Sequence, residues 1–585
     1  MSMKETALGV ATAAPPTVDD PMGLDADKLE SNRPYAGDGN VPKDFREQDF
    51  MTRNGLNLRS FTRRDFGTGD VELDRSMKTR HLHMIAIGGS IGAGFFVGSG
   101  SAFVKGGPGS VLICFSIAGV MIFNVIHALG ELAVMYPVSG GFYTLSTRFI
   151  DPSWGFAMGW NYVFQWLIVL PLELTVCSFT VKYWNKEISD AVWITVFWVV
   201  IIIVNIFGTL GYAEEEFWSS CFKLAAIVIF MIVAVVLICG GGPKGYKFDE
   251  YHGDIYWRDP GAFQNGFKGF CSVFVTAAFS YAGSELVGLA AAESENPARA
   301  LPGAVKQVFW RITLFYIVGL TLVGLLVSSR DERLLNAKNP YAEGTSPFVL
   351  AAKDAGLKGY DSFMNVVICI SVVSIGVSCV YGGSRTLSAL AHTGYAPKIF
   401  TYVDKSGRPL VSVLFLLAWG GLAYIVLGAH GSVVFDWLLA LSALAALFTW
   451  GSICLCHIRF RTAWKRQGRS LDQIPFHAAG GGVYGSYMGL TLCAVILIAQ
   501  IFVAIMPYGQ SGPGTAEDFF MSCLAIPVVL VFWACGYFWK RTGWLTIDQI
   551  DLDAGLREHN WEEINAHRAR VAAMPAWRRA LTRVF

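Results

Sequence analysis

Twelve long apolar stretches run along the chain and are separated by more polar segments. Each is close to the roughly 20 residues that an α-helix needs to cross the hydrocarbon core of a bilayer. The pattern therefore predicts twelve membrane-spanning helices. They lie near residues 82–103, 109–134, 156–181, 190–208, 217–239, 265–290, 308–328, 362–384, 411–428, 434–456, 486–507 and 517–539.

Two of these predicted spans are interrupted. The first contains residues 88–94 (GGSIGAG) and the sixth contains residues 279–285 (FSYAGSE). Glycine costs about 1 kcal/mol per helix position relative to alanine, so residues 88–94 should unwind locally. Spans one and six occupy equivalent positions in two five-span repeats, which favours the substrate site of an inverted-repeat transporter. Close packing of helices through small residues is the alternative.

The chemistry of an unwound helix suggests what such a site binds. The break frees N–H groups at the start of the second half-helix and C=O groups at the end of the first. The N–H groups and the positive end of the helix dipole suit a carboxylate, and the carbonyls suit an ammonium group. Glycines let a ligand approach the main chain because no Cβ is in the way. The two breaks together therefore predict a zwitterion about the size of an α-amino acid.

Charged residues inside predicted spans indicate function because burying them in a membrane is costly. Glu285 closes the sixth-span break and is predicted to take up a proton, with a helix-end hydrogen bond as the structural alternative. Lys223 in span five is predicted to be a switchable cation near the first break, although it could instead extend to the membrane surface. Glu131 and Glu173 are further candidates for proton coupling, with structural roles as the alternative.

Composition excludes a soluble protein for the centre of the chain. Residues 81–539 hold 51 charged residues, about one in nine, in a chain that is 53% hydrophobic. The net charge of +1 gives no reason to expect nucleic acid as a partner. The 12 cysteines include no CxxC pair, and no GxxxxGK[ST] phosphate loop occurs. We therefore expect neither a metal nor another cofactor, and no ATP-driven pump.

The predicted organisation is two repeats between two tails. It comprises a largely disordered N-terminal tail (1–80), a first five-helix repeat (81–239), a second repeat (240–457), two further helices (458–539) and a C-terminal tail (540–585). Flanks on the side of both tails hold about 19 Lys and Arg against about 11 on the other side. The positive-inside rule therefore places both termini in the cytosol. The segment 546–585 has a helical pattern and is predicted to lie on the membrane or to pack under the bundle.

Several segments resemble a known family. Residues 80–100 (RHLHMIAIGGSIGAGFFVGSG) resemble the first helix of fungal amino-acid permeases, which belong to the amino acid–polyamine–organocation superfamily. Residues 279–316, 381–400 (YGGSRTLSALAHTGYAPKIF) and 448–461 (FTWGSICLCHIRFR) extend the resemblance. It runs in order over most of the chain, and it is nearest to general, broad-range amino-acid permeases of the plasma membrane.

The resemblance implies an all-α polytopic membrane protein with twelve transmembrane helices. Two inverted five-helix repeats of the leucine-transporter type, with helices 1 and 6 broken, would be followed by two extra helices. It implies proton-coupled uptake of amino acids across the plasma membrane and no enzymatic activity. Glu285 would couple to protons, and Lys223 would occupy the place of the sodium ion used by sodium-driven relatives. The predicted substrate-binding residues are Gly89, Ser90, Ile91, Gly92, Ala93, Gly94, Phe279, Ser280 and Ala282.

The sequence leaves open two alternative functions and one further partner. A non-transporting amino-acid sensor could use the same scaffold. A membrane enzyme would need paired His, Asp or Cys groups near one face, whereas His457, Arg459 and Arg461 are predicted to form a positively charged anchor without a carboxylate. By analogy with the family, ubiquitin-ligase machinery could act on lysines of the cytosolic tail. These are Lys4, Lys28 and Lys43.

Overall fold

The computed structural model describes ten segments of the chain, in which the regular secondary structure is helical. These segments are 51, 56–64, 77–136, 141–294, 297–335, 346–428, 431–509, 512–557, 559–575 and 577–578. They contain no β-strand beyond two isolated bridges, Arg63 with Asp404 and Met77 with Ser294. From residue 49 onward the chain forms one compact unit. The first 50 residues, with the candidate lysines Lys4, Lys28 and Lys43, lie outside the described residues.

The described part of the chain up to residue 294 contains eight α-helices. They are α1 (Thr79–Gly88), α2 (Gly94–Met135, with a π-helical first turn Gly94–Gly98), α3 (Tyr143–Phe149), α4 (Pro152–Val181), α5 (Asp190–Ile206), α6 (Gly208–Ile238), α7 (Gly266–Tyr281) and α8 (Leu286–Ala292). Gly107 interrupts α2 with φ +79°, a left-handed conformation that favours glycine.

The first helix after residue 294 changes from α-helical to π-helical winding. α9 (Pro297–Trp310) continues as a π-helical segment, Arg311–Gly319, into α10 (Leu320–Leu326). The remaining helices are α11 (Glu332–Leu335), α12 (Pro347–Asp354), α13 (Tyr360–His392), α14 (Leu410–Trp419, followed by a 3-10 turn Gly420–Leu427), α15 (Gly431–Arg466), α16 (Val483–Ile505), α17 (Ala516–Cys523), α18 (Ala525–Lys540) and α19 (Trp561–Ala572).

The predicted stretches and the observed helices agree in position but differ in number. Among the described residues, nine helices are long and apolar enough to cross a membrane, and α17 with α18 would make a tenth, bent by 63°. Each of the twelve predicted stretches overlaps a helix. The numbers differ because α5 has only 17 residues and because α2 continues from the first predicted stretch through the second. The chain is a multi-pass, all-helical membrane protein.

Burial separates the central helices from the peripheral ones. In an apolar 18-residue stretch of α4, 94% of the residues are buried, against 28% in α16. The peripheral helices keep large apolar side chains exposed, among them Val199, Ile232 and Ile498. Such a surface is typical of contact with lipid. α13 packs along α4 near the centre of the bundle, where both helices are largely buried.

The C-terminal segment packs against one end of the bundle. The Leu545 N–H donates to the Ile150 carbonyl (3.0 Å), and the Tyr136 hydroxyl donates to the Leu552 carbonyl (2.9 Å). Of the two placements predicted for this tail, the described residues thus show contact with the bundle.

A stretch predicted to belong to the N-terminal tail, residues 56–64, also lies against the bundle. The Lys405 N–H donates to the Ser60 carbonyl (3.1 Å), and the Arg64 N–H donates to the Val403 carbonyl (2.9 Å). These partners are on the loop between α13 and α14. Contacts between segments some 340 residues apart place this stretch in the folded unit, and a local sequence pattern carries no sign of them.

Charged side chains connect the loops at the end of the bundle opposite the C-terminal segment. Arg333 donates to Asp331 and to Asp354 (both 2.6 Å), and Lys247 donates to Asp354 (3.0 Å). The hydrogen bonds from Arg333 lower the pKa of Asp331. Asp331 therefore stays ionised at neutral pH, and the cluster fastens the loop after α6 to α12 through the shared carboxylate of Asp354.

Candidate functional site

The chain is not helical between α1 and α2. At the end of α1, the Gly89 N–H donates to the Ile85 carbonyl (3.0 Å). The next helix begins when the Gly92 carbonyl accepts from the Phe96 N–H (3.1 Å). The first N–H groups of a helix have no acceptor within it, so the start of α2 presents backbone donors. We call residues 89–93 the first break.

A second interruption lies between α7 and α8. Ala282 is extended (ψ 144°), and Gly283 has φ +88°, a left-handed conformation that favours glycine. Helix α8 starts after Glu285, whose carbonyl accepts from the Gly288 N–H (2.9 Å). We call residues 282–285 the second break.

The two breaks are in direct contact. A Cβ atom added to Gly94 would lie 2.8 Å from the Ser280 Cα, and one added to Gly283 would lie 3.5 Å from the Gly89 carbonyl oxygen. The first distance is shorter than any normal contact between such atoms. Glycine at position 94 is therefore what allows the start of α2 to meet the end of α7.

A small cavity lies beside both breaks. α4 contributes Trp166, Val169 and Glu173 to its wall, and α13 contributes Ile375. The remaining lining residues were all predicted to bind substrate: they are Ser90, Gly92, Ala93, Gly94, Phe279 and Ala282.

Three residues predicted to bind substrate do not line this cavity. Gly89 closes the end of α1, and the side chain of Ile91 is fully buried in the core. The Ser280 hydroxyl donates to the Thr276 carbonyl (2.7 Å), and the Ser280 carbonyl accepts from the Tyr316 hydroxyl (2.7 Å). Neighbouring residues of an interrupted helix still point in different directions, so only some of them can face one cavity.

Lys223 lies next to the first break, as predicted, and its side chain is fully buried. Its Nζ lies 3.3 Å from the Gly88 carbonyl oxygen, 3.1 Å from the Ser374 Oγ and 3.5 Å from the Glu216 Oε1. Complete burial excludes the alternative that Lys223 extends to the membrane surface. The side chain joins the end of α1 to α6 and α13.

Glu216 is a buried charged residue of this site that the sequence analysis missed. Its carboxylate accepts hydrogen bonds from Ser374 (2.7 Å), Ser220 (2.9 Å) and Ser378 (3.3 Å) besides its contact with Lys223. A signal was present in the sequence. Glu216 precedes Lys223 by seven residues, which is close to two turns of a helix and places both on one face.

The other candidate carboxylates occupy different environments. The fully buried Glu285 accepts a hydrogen bond from the Trp450 Nε1 (3.1 Å) and is not part of the cavity wall. Glu173 lines the cavity, and its Oε2 is buried without a hydrogen-bond partner in the described residues. Among the candidate carboxylates, Glu173 is thus the one that lies on the cavity wall.

Glu131 lies in an ionic cluster away from the cavity. Its Oε2 accepts from the Arg461 Nη2 (2.8 Å) and the Ala478 N–H (2.7 Å), and its Oε1 lies 3.0 Å from the His457 Nε2. The cationic group at the end of α15 was predicted to have no carboxylate, and this interpretation was wrong. The partner is 330 residues distant in sequence, and packing of α15 against α2 brings it close.

We expect Glu131→Gln to destabilise the protein. The substitution leaves the Arg461 guanidinium without its counter-charge, and removing one partner of a buried ion pair costs about 3–5 kcal/mol. Thermal unfolding of the purified protein in detergent measures the effect as a lower midpoint. The exposed Glu187→Gln is a matched control that should leave the midpoint unchanged. Equal midpoints for the two variants would contradict a stabilising role of the cluster.

Comparisons with known proteins show the family of this chain. Residues 81–549 match the amino acid permease family. The chain is 66% identical to "Amino-acid permease inda1" of Hypocrea atroviridis over 541 residues, which is 92% of this chain and 94% of that protein. It is 50% identical to "General amino-acid permease GAP2" of Candida albicans, covering 88% and 87% of the two chains. It is 49% identical to "General amino-acid permease GAP1" of Saccharomyces cerevisiae, covering 88% and 86%.

A solved structure gives a weaker likeness. The chain resembles Mhp1, described as a nucleobase-cation-symport-1 family transporter in a closed conformation with bromovinylhydantoin bound. The sequence identity is 13%, the TM-score is 0.43, and the match covers 81% of this chain and 95% of that one.

Proposed function

Because the chain belongs to the amino acid permease family, we propose that it imports amino acids together with protons across the plasma membrane, with a broad substrate range. The family is one of transporters, and curated relatives that cover most of the chain are named permeases. The observation that carries the finer proposal is the cavity between the two breaks. It brings residues of both interrupted segments to one place.

The proposed architecture is twelve crossings. Nine helices and the bent pair α17–α18 supply ten of them, and the 17-residue α5 supplies an eleventh. The twelfth arises when α1 and the part of α2 before Gly107 count as one crossing and the rest of α2 as the next. In this arrangement, residues 81–239 and 240–457 are the two inverted repeats, and both tails are cytosolic.

The proposed mode of binding uses the main chain. The N–H groups at the start of α2, from Gly92 to Gly94, would receive the substrate carboxylate at the positive end of the helix dipole. The ammonium group would lie near the end of α7 and the carboxylate of Glu173. Because these groups recognise what all α-amino acids share, they support a broad range, with Trp166, Phe279 and Ile375 contacting the variable side chain.

Proton coupling supplies the energy that a zwitterion cannot take from the membrane potential, since it has no net charge. One co-transported proton gains about 2.3 kcal/mol per 100 mV. That free energy supports roughly fifty-fold accumulation. Glu285 is the proposed proton carrier because it is buried beside the second break, and Lys223 is proposed to respond to the state of the first break through Gly88.

Flux into proteoliposomes tests the proposal. Purified protein would be reconstituted with an inward proton gradient and challenged with one labelled amino acid, with the twenty amino acids as competitors. We expect accumulation that a protonophore abolishes and that many amino acids inhibit. Binding without flux would favour the alternative, a non-transporting sensor, and accumulation insensitive to the protonophore would overturn proton coupling.

We expect Lys223→Met to lose uptake and to lower thermal stability. The substitution leaves the Glu216 carboxylate buried without its nearest cation, and it removes a donor to the Gly88 carbonyl at the end of α1. The double variant Lys223→Met/Glu216→Gln is the matched control. It should regain stability but not proton-coupled uptake, measured as unfolding midpoint and accumulation. Uptake at the wild-type rate in Lys223→Met would exclude the lysine from the mechanism.

A regulatory partner is also proposed for the tails. Ubiquitin-ligase machinery would modify N-terminal lysines outside the described residues, and loss of ubiquitin on replacing them with arginine tests this. The candidate positions are Lys4, Lys28 and Lys43.

A further inference from the structure

An arginine in the π-helical segment after α9 donates hydrogen bonds to α1 and to the second break. The Arg311 Nη1 donates to the Ala86 carbonyl in the last turn of α1 (2.8 Å), and its Nη2 donates to the Ser284 Oγ in the second break (2.6 Å). The Arg311 side chain is fully buried. One guanidinium group therefore joins the end of α1 to the second break.

A tyrosine of the same segment makes a second connection. The Tyr316 hydroxyl lies 2.7 Å from the Ser280 carbonyl oxygen and 3.1 Å from the Ser90 carbonyl oxygen. The first of these oxygens is at the end of α7, and the second is in the first break. The hydroxyl has one proton to donate, so the two carbonyls share it. Tyr316 is also fully buried.

The winding of the segment explains why both side chains can reach the breaks. Arg311 and Tyr316 are five residues apart. On an α-helix with 3.6 residues per turn, two such residues point about 140° away from each other. A π-helix bonds residue i to residue i+5, which brings this pair onto one side, and π-helical turns are often found at functional sites.

The position of Arg311 also accounts for a buried charge. The guanidinium group lies at the carboxyl end of α1, where the helix dipole is negative and a cation is favourable. Lys223 donates to the Gly88 carbonyl at the same helix end. Two cations from different helices thus hold the last carbonyls of α1, although only Lys223 was predicted from the sequence.

We propose that Arg311 and Tyr316 are positioning residues that hold the two breaks in one fixed arrangement. This inference rests on the proposed function, because the segments that they bond carry residues that line the cavity. Main-chain groups of unwound segments have no helix to fix them. Bonds from Arg311 and Tyr316 to both breaks supply that order before the substrate arrives, which raises affinity by lowering the cost of binding.

The test compares two tyrosines that stack on each other. Tyr316→Phe removes the hydroxyl that bonds the first break and the end of α7. Tyr281→Phe is the matched control, because its buried hydroxyl donates to the Phe115 carbonyl in α2 (3.1 Å) and its ring lies 4.4 Å from that of Tyr316. Each variant loses one phenolic hydroxyl, but only one loses bonds to the breaks.

We expect Tyr316→Phe to raise the KM for uptake about tenfold with little change in the maximal rate per transporter at the membrane, as the loss of one or two hydrogen bonds would produce. Tyr281→Phe should change the KM by less than about twofold. Equal KM values in the two variants would overturn the inference.

Ser284→Ala gives a second, smaller change in case Tyr316→Phe does not reach the membrane. It removes one acceptor of Arg311 and should raise the KM about threefold, and an unchanged KM would remove Arg311 from the proposal.

Failure of the inference can be told apart from failure of the proposed function. A wild-type protein without uptake overturns the function, and affinity is then compared through the thermal stabilisation that an added amino acid produces. The tenfold loss is still expected only in Tyr316→Phe. Equal stabilisation of both tyrosine variants overturns the positioning role, whether or not the wild-type protein transports.

Discussion

Glu285→Gln is expected to abolish accumulation of amino acids against a gradient while leaving substrate exchange across the membrane in place. Glutamine has nearly the same shape and can still accept the hydrogen bond from the Trp450 Nε1, so the packing beside the second break is kept. It cannot take up and release a proton. At 100 mV, the loss of one coupled proton removes about 2.3 kcal/mol, so roughly fifty-fold accumulation falls to equilibration.

The measurement compares net accumulation with counterflow in the same proteoliposomes. Counterflow needs binding and movement of the site but no net proton transfer, so it serves as the internal control for folding. Trp450→Phe is the companion variant, which keeps the carboxylate and removes its donor, and it should retain accumulation. Accumulation at the wild-type level in Glu285→Gln would remove this residue from proton coupling.

Gly92→Val is expected to abolish uptake while the protein still reaches the membrane. A Cβ at position 92 would lie 2.5 Å from the Ile375 Cγ1 on the cavity wall, and valine adds two further carbons. The valine side chain and the Ile375 side chain cannot both occupy that space unless the first break moves away from α13. Overpacking of this kind costs about 1–3 kcal/mol. It also fills the place proposed for the substrate carboxylate.

Alanine substitutions provide the controls for this prediction. Gly92→Ala already introduces the colliding carbon and should lower uptake at least tenfold. Gly451→Ala in α15 is the matched control, since a Cβ there would meet its nearest neighbour at 3.7 Å, an ordinary contact. Uptake and the amount of protein at the membrane are measured together. Normal uptake in Gly92→Val would indicate that the first break only packs helices.

The overall class of the fold could be predicted from the sequence because a bilayer imposes one simple requirement. Apolar stretches of spanning length must be helical, and each predicted stretch overlaps a helix. The number of separate helices was less certain. The backbone hydrogen bonds of α2 continue past Gly107, so the helix does not end there. The axes of α17 and α18 are bent by 63° relative to each other at a single residue. A hydropathy pattern contains no information on either feature.

The candidate site could be predicted in part, for a comparable reason. Glycine clusters indicate interrupted helices, and they located the candidate site along the chain. Six of the nine proposed binding residues line one cavity. The cavity wall of Trp166 and Ile375 was not predicted, because large apolar residues in a span look alike whether they face lipid, core or ligand. Glu216 was missed because it precedes the predicted span 217–239 by one residue, although its spacing from Lys223 was a signal.

The sequence by itself determined that this protein is an all-helical, multi-pass membrane protein of the amino acid permease family, because length, apolarity and motif are local properties. The tertiary structure alone decided which polar groups meet. Glu131 pairs with Arg461, Lys223 donates to Ser374, and one π-helical segment bonds both breaks. These contacts depend on how helices distant in sequence pack against each other, which no single stretch of the chain encodes.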